Sequence, residues 1–206
     1  MSALCIIVIS IGFFRLLPPA AAGDSIDYHV TFPRIYLFNH TMMLPPVGNE
    51  SYSMVPHLPD LLYIFSELMS NGEAARYIHF GFFLVVFFLL WKVSFFAKNH
   101  VSAAQFTALL FISAPLMLHI GTASFSDFPA VLCLLLCLYL FTHEKLTIRS
   151  GMLCGLLLGG VLASKIWMFV YLPFFLLFCL VVVIQEQQVK KIHFALSFGL
   201  SMVALS

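Results

Sequence analysis

Asp24 and Asp27 follow closely on the first apolar stretch of the chain, which ends at Leu17. At i,i+3 on a helical turn the two carboxylates share one face, with Tyr28 and His29 adjacent. Paired carboxylates at a membrane surface bind a divalent cation or act as a general base. The plainer reading is a solvated loop start whose carboxylates cap a helix. Asp127, in Gly121-Thr122-Ala123-Ser124-Phe125-Ser126-Asp127, stands at the entry to another apolar stretch, where a carboxylate also serves as an N-terminal cap. Lys165, in Ala163-Ser164-Lys165-Ile166-Trp167, lies between two apolar stretches. It either belongs to a functional site or snorkels to the interface beside Trp167.

Other chemistries find less purchase. His29, His40 and His57 share one polar loop, but their spacing fits no compact zinc signature. His79, His100, His119, His143 and His193 lie at or near the ends of apolar stretches, where an amphipathic ring sits comfortably. Cys5, Cys133, Cys137, Cys154 and Cys179 all fall inside apolar runs, as small buried or lipid-facing side chains do. Neither a zinc site nor a disulfide framework is expected of them. No nucleophile elbow, P-loop or dinucleotide-binding glycine pattern occurs.

The elements that must position these groups are membrane helices. Of 206 residues, 62% are hydrophobic and 9% charged. A soluble domain carries roughly a quarter charged residues, so most of this surface must meet lipid or other helices. A net charge of +1 gives no footprint for nucleic acid. About 20 apolar residues cross the hydrocarbon core. The expected spans are about 3–17, 77–97, 102–120, 127–142, 151–164, 166–184 and 192–206. The fold class is therefore all-α, a polytopic bundle of about seven transmembrane helices, read as one module over 1–206. The last span stops at Ser206 with no polar flank, which suggests a fragment of a longer chain.

The first span has a rival reading as a signal peptide, given Ala20, Ala21 and Ala22 after Pro18 and Pro19. The absence of Lys or Arg before the apolar stretch speaks against cleavage. Either way the loop over 18–76 falls on the non-cytoplasmic side, the periplasm, cell exterior or a lumen. Lys92, Lys98, Lys145, Arg149, Lys190 and Lys191 then lie inside, as the positive-inside rule asks. Asp24, Asp27, Glu50, Asp60, Glu67, Glu73 and Asp127 lie outside. Asn39-His40-Thr41 and Asn49-Glu50-Ser51 are glycosylation triplets in the same loop. Within it, Leu61, Leu62, Phe65, Leu68 and Met69 recur at helical spacing, opposite Asp60 and Glu67. That pattern predicts an amphipathic helix lying on the membrane surface, broken by Asn71-Gly72.

Taken in order, several stretches resemble a known family. They are Asp24-Ser25-Ile26-Asp27-Tyr28-His29, Pro33-Arg34-Ile35-Tyr36, Tyr52-Ser53…Pro56-His57-Leu58-Pro59-Asp60-Leu61-Leu62-Tyr63, Ala74-Ala75-Arg76…His79, Gly121-Thr122-Ala123…Asp127 and Gly159…Ala163-Ser164-Lys165. Together they resemble the GT-C superfamily of membrane glycosyltransferases, in the bacterial branch related to dolichyl-phosphate-mannose–protein mannosyltransferases. The resemblance covers nearly the whole chain, although each motif alone is loose. Arg34 stands where relatives carry Lys, and Asp60 where they usually carry Glu; both keep charge. Such enzymes generally exceed this length, and their shared module is a set of spans with surface helices in the first outer loop.

The resemblance implies transfer of a sugar from a polyprenyl- or dolichyl-phosphate donor to a glycan, lipid or protein acceptor, with inversion. It implies Asp24 as general base with Asp27 beside it, and Lys165 with Arg34 on the donor phosphate. Asp127, His29 and Asp60 would position substrate or metal. It leaves open a divalent cation, magnesium or manganese, which some branches use and others do not. Two other classes compete: a transporter-like protein, though no span pairs intramembrane charge with Gly/Pro breaks, and a non-catalytic membrane scaffold on the same fold.

Overall fold

The computed structural model describes residues 2–18, 29–41, 58–98, 101–143, 147–165, 169–170, 173–177 and 198. Every regular element among them is helical, and no strand occurs among them. In chain order these are α1 (Ser2–Leu16), α2 (Thr31–Asn39), α3 (Leu58–Ser70), α4 (Ala74–Lys98), α5 (Val101–Ser113), α6 (Pro115–Gly121), α7 (Asp127–His143) and α8 (Ile148–Ser164). The chain divides into two compact units, Met1–Pro129 and Ala130–Ser206.

One helix among the described residues is long and apolar enough to cross a membrane, the Ala74–Lys92 part of α4. The other apolar helices, Cys5–Leu16, Asp127–Phe141 and Ile148–Ser164, are shorter. At 1.5 Å per residue, a 17-residue helix such as α8 reaches only about 25 Å. The stretch expected as a span over 102–120 is two helices. Ala114 is extended at φ −72° and ψ 114°, and Pro115 opens α6. Proline has no N–H for the helix ladder and bars the residue before it from helical geometry, so the break falls there. The expected spans 166–184 and 192–206 lie mostly outside the described residues.

In the first unit α4 is the central post, with α1, α3, α5 and α6 packed against it and α2 against α3. Its core is aromatic. Phe83 stacks on Phe80 and Phe111 at ring separations of 5.5 and 5.4 Å and meets Phe128 edge-on at 5.3 Å. Gly121 is required by this packing, since a Cβ there would lie 2.9 Å from the ring of the buried Phe83. α1 docks through Phe13 on Phe80, with ring centroids 5.1 Å apart, and Tyr77 donates a hydrogen bond to the Leu16 carbonyl.

The segment expected as an amphipathic helix is helical, as α3, and the expected break follows it. Asn71 and Gly72 take left-handed φ angles of 53° and 87°, and the Gly72 N–H bonds back to the Ser66 carbonyl. This closes the helix at residues that tolerate the conformation. Three residues later α4 begins, its first N–H capped by the Ser70 hydroxyl at 2.8 Å. The faces of α3 are the reverse of those on a soluble helix. Pro59, Asp60, Tyr63 and Ser66 point inward and are buried, while Leu62, Phe65, Leu68 and Met69 point outward and are exposed. Each large apolar side chain left in water forgoes roughly 1.5–3 kcal/mol. Phe38, at the end of α2, is exposed as well.

The second unit is an apolar hairpin of α7 and α8. Cys137, Phe141, Cys154, Leu158 and Val161 form its buried core, with Phe175 and Phe198 packed against it. Gly151, Gly155 and Gly159 lie buried along one face of α8, a small-residue stripe that lets helix backbones approach closely. α8 starts with a reciprocal cap: the Ser150 N–H donates to the Thr147 hydroxyl, and the Thr147 N–H to the Ser150 hydroxyl.

Candidate functional site

The inward face of α3 begins with Asp60, whose carboxylate is fully buried. A buried carboxylate requires a donor, and His29 supplies it: Nδ1 lies 2.6 Å from Oδ1. One short hydrogen bond thus joins the two side chains. His29 stands in the turn before α2 and is itself buried, with Tyr63 and Phe125 edge-on at ring separations of 6.4 and 6.2 Å.

One turn along α3, the Tyr63 hydroxyl lies 2.7 Å from the Phe125 carbonyl and 2.8 Å from Nδ1 of His79. A carbonyl can only accept, so Tyr63 donates its proton there. It must then accept from Nδ1 of His79, which fixes the tautomer of that ring. Three elements are tied by this one hydroxyl: α3, α4 and the Thr122–Ser126 connection. Thr122, Ser124 and Ser126 of that connection are buried too. Burial raises the pKa of Tyr63 well above its ordinary value, and the charges of Asp60 and then Asp127 push it the same way. Tyr36, on the buried side of α2, is pushed up to about 12 by burial and, second, by Asp60.

The residues singled out from the sequence divide as follows. His29 and Asp60 are in direct contact, and Asp127, the first residue of α7, is close enough to Tyr63 for its charge to act there. Arg34 is turned to a different task. Its Nε and Nη2 donate to the Glu67 carboxylate at 2.7 and 3.4 Å, and Nη2 also reaches the Asn71 carbonyl. That pairing raises the pKa of the exposed Arg34, the hydrogen bond first and the charge of Glu67 second. The pair clamps α2 against the end of α3. Lys165 belongs to the second unit, where it is half-buried and ends α8 with its N–H on the Val161 carbonyl. Asp24 and Asp27 lie outside the described residues.

Tyr63, His79 and Tyr36 were not singled out in the sequence as site residues. The signal for Tyr63 was available: Asp60, Tyr63, Ser66 and Ser70 recur at helical spacing, a polar stripe opposite the apolar one. His79 was marked only as the end of the Ala74-Ala75-Arg76…His79 stretch, since by itself one ring in a long apolar helix reads as an interfacial residue. Arg76 was also passed over. It is buried on the first turn of α4, with Nη2 on Glu73 at 2.9 Å and Nε without a hydrogen-bond partner among the described residues. No group of three His, Cys, Asp or Glu placed to hold a metal ion occurs among the described residues.

Chemically, the first unit holds a buried polar layer inside an otherwise apolar protein. It contains a carboxylate–imidazole pair, a tyrosine–imidazole pair and a nearby second carboxylate. Compared with known protein families, characterised proteins and solved structures, the chain matches none.

Proposed function

We propose that the chain is the N-terminal module of a membrane glycosyltransferase that takes its sugar from a polyprenyl-phosphate donor. One observation carries the reading. Of the stretches that resemble the GT-C motifs, four contribute to one buried hydrogen-bonded layer, through His29, Asp60 with Tyr63, His79, and the Phe125 carbonyl. Residues that serve only local helices have no reason to converge. Apolar residues fill a bundle at lower desolvation cost than an ion pair does.

In this reading the spans form a multi-pass bundle of about seven helices, with the loop over 18–76 on the non-cytoplasmic side. The outward apolar face of α3 rests on the bilayer surface, which removes the penalty for exposing it. The buried layer then lies at the depth where a lipid head group meets water. Asp24 takes the proton of an acceptor hydroxyl, and the resulting oxygen attacks the anomeric carbon of the sugar. The bond from that carbon to the phosphate oxygen breaks, the configuration inverts, and polyprenyl phosphate leaves as the anion. Lys165 offsets the phosphate charge through a charge-assisted hydrogen bond. Arg34 joins it only by leaving Glu67. His29 follows Asp27 by two positions, so its bond to Asp60 anchors the end of the acidic stretch.

The test is transfer by the full-length protein in lipid nanodiscs from a radiolabelled polyprenyl-phosphate sugar. Asp24→Asn is expected to reduce the rate by about 10²–10⁴-fold, as loss of a general base does. Loss with Asp27→Asn alone would exchange the two roles. Wild-type rates in both variants would refute the assignment, and a wild-type chain that binds donor without turnover would favour a scaffold.

A further inference from the structure

Cys137 of α7 and Cys154 of α8 face each other inside the second unit. The Cys137 thiol donates to the Cys154 carbonyl at 3.6 Å, and the Cys154 thiol to the Cys137 carbonyl at 3.9 Å. Each sulfur therefore sits beside the other residue's backbone, in one gap between the helices. A disulfide needs Cα atoms closer than about 7 Å, which most helix pairs exceed. Here the reciprocal thiol–carbonyl contacts show the two backbones close together at Cys137 and Cys154, where Gly151 and Gly155 of α8 are buried too. Both cysteines are almost wholly buried, while Cys133, one turn before Cys137, is only half-buried.

We propose that Cys137 and Cys154 are an oxidisable dithiol whose disulfide staples α7 to α8. Two S–H bonds break and one S–S bond forms, while two protons and two electrons pass to a neutral, lipid-soluble acceptor such as a quinone, which becomes the quinol. Apolar surroundings keep charged oxidants away and select for an acceptor dissolved in the bilayer. The staple closes the hairpin covalently and fixes the helix that ends at Lys165. This inference stands apart from the proposed transferase activity and needs none to be tested.

The experiment treats the full-length protein in nanodiscs with diamide, a small neutral azo compound that accepts the same two hydrogens. Denaturation, alkylation and mass analysis then count the free thiols. Oxidation is expected to remove two alkylated sites and to yield a linked Cys137–Cys154 peptide, both reversed by dithiothreitol. Cys133→Ala should leave the linkage intact, and Cys137→Ala should abolish it. Undiminished alkylation of Cys137 and Cys154 after diamide would overturn the proposal. So would a linkage that runs through Cys133 or between chains.

Discussion

The two units fill their interiors in opposite ways. Around the inward face of α3 the first unit buries His29, Asp60, Tyr63 and His79, each held by a partner that only one arrangement supplies. Between α7 and α8 the second unit buries Phe141, Leu158, Val161 and two thiols, which need little beyond matching shape. The contrast separates what helix packing requires from what the proposed site retains. Apolar packing of Cys137 and Phe141 on Cys154, Leu158 and Val161 is enough to hold a hairpin. A buried ion pair is a poor way to gain stability, because desolvation offsets most of its attraction.

The largest effect should come from breaking the pair. Asp60→Ala leaves the His29 donor buried without its acceptor and should cost about 3–5 kcal/mol in reversible unfolding of the reconstituted protein. Replacing both partners by leucine should recover much of that loss, which would mark the pair as retained for something other than stability. In the second unit Leu158→Ala should cost about 2–5 kcal/mol, whereas Leu158→Met should stay within about 1.5 kcal/mol. A similar tolerance at Asp60 would erase the contrast.

Tyr63→Phe comes next, at about 1–3 kcal/mol, since it strands both the Phe125 carbonyl and the His79 N–H. The tyrosines also set an alkaline limit on the first unit. An unfolded tyrosine ionises near 10.0, while folded Tyr36 resists to about 12, so the stability it lends is complete below 10 and is lost between those values. Unfolding followed against pH should show this loss, and Tyr36→Phe should flatten it. The smallest effect on folding should come from the outer face of α3. Phe65→Trp should leave stability within about 0.5 kcal/mol. Its fluorescence should be quenched by lipids brominated along the acyl chain. Quenching by aqueous iodide alone would mean that this face meets water.

Much of this was legible in the sequence, and the limits have physical causes. α3 was readable because its apolar and polar stripes are separate, and its stop because Asn71-Gly72 is a strong breaker. The break inside the 102–120 stretch was not foreseen because hydropathy alone does not register the geometric constraint of Pro115. Asp60 and His29 were marked through motif resemblance, yet nothing in composition or spacing foretold that they touch. The pairing spans 31 positions and depends on how α2 packs on α3. Arg34 was read as a cation for phosphate because a lone arginine gives no hint that Glu67 meets it from a neighbouring helix. Cys137 and Cys154 take the buried one of the two placements expected of the cysteines, but their facing emerges only from helix packing.

The most direct measurement is an experimental structure of the full-length protein in nanodiscs with a non-transferable polyprenyl-phosphate sugar bound. The account predicts the sugar beside Asp24, with its anomeric carbon open to a hydroxyl held by that carboxylate. It predicts the Lys165 amine on the phosphate, and the His29–Asp60 and Tyr63–His79 pairs intact behind the acidic stretch. A donor bound away from Asp24, with the Lys165 amine turned outward to bulk lipid, would contradict it.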